Sequence, residues 1–217
     1  MPAEQDWDDW GSEPAELMMM LSEVTPVLDA ALPLGAFKAH LRLGTGFGEA
    51  ELQDSVLIGF LRAALAAIEK RTGKALLQRD FRWVVTRWVR PDVAAVPIAP
   101  VVGLVSVARI DAQGSSAPVA LGTYWLEPDS QQPQLHPTAA CLPNLPAGTR
   151  LELFLTAGMS PSWEALPSDL AQAVLMLAAH YYEYRDDTAL HGGCMPFGVT
   201  SLIESHRALR LSAGGRL

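Results

Sequence analysis

The sequence predicts an α+β fold: a helical core of two long helices, about residues 49–72 and 167–185, an inserted small antiparallel β domain, and a C-terminal docking segment. Three observations predict it. Both long stretches repeat apolar residues at a 3.6-residue period. The stretch between them, about 76–157, alternates apolar and polar residues with a period of two and is cut by proline and glycine at short intervals. Helices therefore flank a run of strands, which is the order of an α+β fold rather than of alternating βαβ units.

Residues 167–185 organise the rest. Pro167 suits a first helical position, and Asp169 follows where the helix dipole favours an anion. Leu170, Val174, Leu177 and Tyr181 form one stripe, and Ala171, Leu175, Ala178 and Tyr182 a second beside it. A helix this apolar on most sides is expected to pack on more than one face.

Taken in order, the chain divides into five stretches. Residues 1–23 read as a flexible acidic arm: seven carboxylates and no Lys or Arg give it −7 of the chain's net −8. Trp7 and Trp10 stand among those acids and could serve as a linear motif anchored by its indoles. Residues 24–75 hold a short helix over 34–43 and the second long helix. In that helix Leu52, Val56, Phe60, Ala63, Ala67 and Lys70 lie near one face, which Leu57, Leu61, Leu65 and Ile68 widen. Gly73 is placed as its cap.

Residues 76–157 read as the β insertion. Phe81, Trp83 and Val85 alternate with Arg82, Val84 and Thr86; residues 91–100 hold three prolines and read as a rigid connection without an element. Strands are expected over 101–111, 119–126 and 149–157, with one short strand near Leu135. Residues 158–195 complete the core, and 196–217 form the docking segment, with a helix from Val199 to about Leu209.

Composition narrows the function. A 49% hydrophobic, 18% charged chain of 217 residues supports a sizeable core. Without the arm the net charge is about −1, which argues against a reader of nucleic-acid sequence, since that needs a basic face. Cys141 and Cys194 are too few for a disulfide framework. No secretory leader or membrane span is visible, so the expectation is a cytoplasmic origin.

The search for chemistry leaves little. His191 and Cys194 have ligand-like spacing, and His180 and His206 could join them, but a zinc site usually shows a second tight pair. The residues 44–48 lack the lysine and the preceding strand of a phosphate loop. No catalytic residue, metal ligand or cofactor is assigned. Tyr182, Tyr184 and Arg185, at the end of the long helix, suit a subunit interface, because tyrosine serves packed surfaces that are wet at the rim.

An ordered set of short pieces carries a resemblance. It runs from Leu32, Pro33 and Leu34 through Thr72, Gly73 and Lys74. It continues with Phe154 to Met159 and residues 173–185, and ends with Met195, Pro196, Phe197, Gly198 and Val199 with Leu202 and Arg207. This resembles the head–tail connector (adaptor) family of tailed bacteriophages, with relatives in prophages and gene transfer agents. The resemblance covers about residues 25–210. The glycine-rich 44–48 loop and the acidic tryptophan arm depart from the family pattern.

The resemblance implies a ring, a dodecamer beneath the portal, that carries a tail-side stopper or tail-terminator protein. DNA would pass through it without sequence-specific binding. It implies no enzyme, no cofactor and no membrane, with assembly in the cytoplasm ending at the head–tail junction. Phe197, Val199, Leu202 and Ile203 would be apolar portal anchors, with Arg207 and Arg210 as charged contacts. The alternatives are an enzyme built on the His191/Cys194 loop and a peptide-binding module using a sheet edge.

Overall fold

The computed structural model describes residues 19–43, 50–185 and 195–207. Trp7, Trp10, His191, Cys194 and Arg210 lie outside them. The mixture of helices and antiparallel sheets is that of an α+β fold.

Among the described residues four helices make the helical part: α1 (Leu34–His40), α2 (Ala50–Thr72), α3 (Ser168–Glu183) and α4 (Phe197–Ile203). Their shared core holds Phe37 from α1 and Leu57, Leu61, Ala64, Leu65 and Ile68 from α2. From α3 come Leu170, Ala173, Val174, Leu177 and Ala178. Each fully buried leucine contributes about 1.5–3 kcal/mol against exposure. The α2 face expected to lead, with Val56, Ala63 and Lys70, points outward instead; the face of Leu57, Leu61 and Ile68 is buried. Both faces are apolar, so period alone could not rank them. Pro167 caps α3 rather than opening it, and the helix ends at Glu183, two residues early.

Among the described residues the strands form two sheets. The larger is ordered β1-β2-β8-β4-β5, antiparallel throughout. Its strands are β1 (Met19–Glu23), β2 (Arg79–Val85), β4 (Val101–Ile110), β5 (Ser116–Val119) and β8 (Arg150–Ala157). The smaller is ordered β3-β7-β6, from β3 (Ala94–Ala95), β6 (Tyr124–Glu127) and β7 (Gln134–Pro137). Alternation in β8 is complete: Leu151, Leu153, Leu155 and Ala157 are buried and their neighbours half-exposed. With Phe81, Trp83, Val85 and Val107 they face Tyr124 and Leu135 of the smaller sheet across a second core. Truncating Leu153 to alanine should cost about 2–5 kcal/mol in equilibrium unfolding, because the side chain is fully enclosed.

Three expectations change here. The end of the supposed flexible arm, residues 19–23, is an edge strand, because Leu21 packs on the sheet core and Glu23 reaches Arg79. The proline-rich connection contributes β3, a two-residue strand paired with β7. The single return strand over 119–126 is split between sheets. Pro118 in β5 has no N–H to give a further neighbour, and the turn at Leu121–Thr123 redirects the chain into β6. No described helix is long and apolar enough to cross a membrane.

Candidate assembly surfaces

The C-terminal segment begins at Pro196, which caps α4. Val199 and Ile203 are fully buried in the helical core, and Leu202 is half-buried against it. Two expected portal anchors, Val199 and Ile203, therefore hold α4 to its own subunit in this fold. The cause is spacing: at i and i+4 they share the inner face of a helix only two turns long. Phe197 is the reverse case, 88% exposed at the first turn. The helix stops at Ile203 and continues as a 3-10 turn, Glu204–His206, short of the expected Leu209. A side chain at Gly198 would come within 2.9 Å of Met176 Cε, so α4 lies tight on α3.

Asp169 and His206 lock this packing, with Nε2 and Oδ2 2.6 Å apart. Partial burial pushes the Asp169 carboxyl up, but the His206 contact and the Leu170 N–H, 2.8 Å from Oδ1, outweigh it and hold it below the ordinary carboxylate range. A carboxylate with a depressed folded pKa gives stability that is present above its unfolded value of 3.8 and lost as pH falls through the folded one. Asp169→Asn should therefore flatten the acid limb of a stability–pH curve below about pH 4, measured by thermal melts across that range. An unchanged limb would show that the contact does not form in solution. Arg207 turns back on Glu204 at 3.0 Å and remains 41% exposed.

At the end of α3, Tyr182 meets Phe60 of α2 edge-on, with centroids 6.0 Å apart at 90°. Arg185 lies 5.1 Å over the same tyrosine ring. Tyr184 is half-exposed and packs on the His180 ring at 4.7 Å. These contacts seat Tyr182 against its own subunit, while Tyr184 and Arg185 remain at the surface. Sequence reasoning missed Phe60 as the seat of this cluster, and also the Asp169–His206 pair. Asp169 carried a signal only as a helix-start acid. Among the described residues no group of three or more His, Cys, Asp or Glu could hold a metal, and Cys141 is exposed and free.

Three solved chains match almost end to end. One, from the neck of an empty GTA particle computed with C6 symmetry, is 49% identical with a TM-score of 0.80. One from the virion of a native gene transfer agent (GTA) particle is 49% identical at 0.77, and one from the neck of a native GTA particle computed with C12 symmetry is 45% identical at 0.76. Each alignment covers 90% of this chain and 98% of the other. The chain belongs to the neck-protein family of gene transfer agent particles. Members of this neck family are structural parts of particles, which weighs against an enzyme built on the His191/Cys194 loop. No protein-family model matches the chain, and no curated protein does.

Proposed function

We propose that this neck-family chain is a structural head–tail adaptor. Twelve copies form a ring between the portal and a tail-side stopper or tail-terminator protein, and the ring encloses part of the DNA exit channel. The observation that carries this is the end-to-end match to chains of gene transfer agent necks, one of them computed with C12 symmetry. A chain made in the cytoplasm would then finish at the head–tail junction, with no cofactor or membrane. Outside its acidic arm the chain is close to neutral, which suits a channel wall, since a basic one would hold the phosphates of passing DNA.

Phe197 is the apolar portal contact, and Arg207 and Arg210 supply charge beside it. Leu202 rims that contact, while Val199 and Ile203 support it from beneath. Tyr184 faces the neighbouring copy from a base made by Tyr182 and Arg185. The arm with Trp7 and Trp10 is left for a linear motif on a further particle protein.

Electron microscopy of the chain mixed with portal protein tests the reading. A twelvefold ring on one face of the portal is expected; subunits that never ring, or rings that ignore the portal, would refute it. Phe197→Ala should leave the melting temperature unchanged, because the side chain is exposed, yet weaken portal capture by about 30-fold or more, as loss of an aromatic hot spot does. Titrating immobilised portal with both proteins reads the difference.

A further inference from the structure

Helix α2 has two apolar faces, and its own subunit uses one. Leu57, Leu61 and Ile68 are buried. On the opposite side Val56 is 51% exposed, and Gly59, Ala63 and Ala66 are exposed. From Val56 to Ala66, about three turns, these four residues carry no charge; Arg62, three residues on from Gly59, borders them and is paired with Asp29. A helix face that meets only water ordinarily carries charged or polar residues.

Gly59 adds an independent observation. Glycine inside a helix costs about 1 kcal/mol relative to alanine. A Cβ built at Gly59 would meet nothing within 4 Å, so no contact within the subunit requires glycine there. The face is also continuous with the end of α3: Phe60, one residue on, carries Tyr182.

We infer that the outward face of α2 is where one copy packs against the next, with Gly59 at the point of closest approach. The inference rests on the ring reading above. A closed ring is built from a head-to-tail contact, so each copy must offer two different patches to identical neighbours. This face supplies one patch, and its occupant is a second copy of this chain. Small residues there let the neighbour's backbone come to the short end of the usual 8–10 Å interaxial range.

Gly59→Leu tests it in the full chain. The variant should fold with an unchanged or slightly higher melting temperature, because a Cβ there meets nothing within 4 Å, the helix surface is exposed and leucine favours helix. It should fail to form the ring on portal protein that the wild type forms. Ala95→Leu, at an exposed position on the smaller sheet, should ring normally. Rings of Gly59→Leu indistinguishable from wild type would overturn the inference and leave the ring reading standing. A wild type that forms no ring would remove both.

If Gly59→Leu does not fold, a nitroxide on Ala63→Cys, with Cys141 and Cys194 changed to serine, gives the answer. It should be immobilised on assembly while a label on Ala95→Cys stays mobile. A label at position 63 that stays mobile in an assembled ring would overturn the proposal.

Discussion

Replacing Glu69 with alanine is expected to remove about 3–5 kcal/mol of folding stability, the effect of stranding one half of a buried ion pair. Glu69 stands in the last turns of α2, and Arg79 opens β2. The guanidinium is 8% exposed and the carboxylate 14%. They meet through two contacts, Nη2 to Oε2 at 2.7 Å and Nη1 to Oε1 at 2.9 Å. Glu69 Oε1 also accepts the Leu76 N–H at 2.8 Å. Truncation therefore leaves the Leu76 N–H without its acceptor and Arg79 with only Leu77 O and the more exposed Glu23 carboxylate, which accepts from Nη2 at 3.4 Å. Glu23 contributes differently. Its Oε1 lies 3.0 Å from Arg79 Nε but off the N–H direction, and its side chain is 39% exposed. Glu23→Ala should cost no more than about 1 kcal/mol, as exposed pairs do. Denaturant unfolding of the two variants separates the cases; equal losses would mean that the Glu69–Arg79 pair is solvated.

Gly158→Ala should be nearly as costly, about 3 kcal/mol or more from backbone strain and overpacking together. Gly158 has φ +146°, and a Cβ there would sit 2.5 Å from both Cα and N of Gln78. The obstacle is main chain, so no rotamer change relieves it. Nor can the strand end shift: Gly158 N–H donates to Pro100 O at 3.0 Å, Met159 N–H to Ala75 O at 3.0 Å and Ser160 N–H to Leu76 O at 3.1 Å. Gly73 is the control. It is also left-handed, at φ +72°, but has nothing within 4 Å of a would-be Cβ. Alanine there should cost about 1–2 kcal/mol, the penalty of the conformation alone. Similar melting temperatures for the two variants would show that the strands at residue 158 part easily.

Much of this could be read in the sequence, where one element decides its own pattern. Leu151, Leu153 and Leu155 alternate because β8 is central and one of its faces is covered. Leu170, Val174 and Leu177 repeat because α3 lies on α2. Elements that depend on a distant partner were less legible. β1 follows a run of acids, and the open edge of β2, sixty residues on, makes it a strand. Val199 and Ile203 have the composition of either an anchor or a core, and only the position of α3 decides between them. Asp169 and His206 are 37 residues apart, with no motif to join them. The two faces of α2 were merged because hydrophobic period records that a side is apolar, not what covers it.

The chain leaves the helices at Leu77 and returns at Ser160, and these two residues are bridge partners. The lead from β1 passes the same place, where Val24 N–H meets Asp80 O at 2.8 Å. All three threads to the sheets thus run through one narrow doorway. Lengthening or shortening such an excursion changes closure entropy only logarithmically. A β module of another size could accordingly be joined at the same doorway while the helices keep their arrangement.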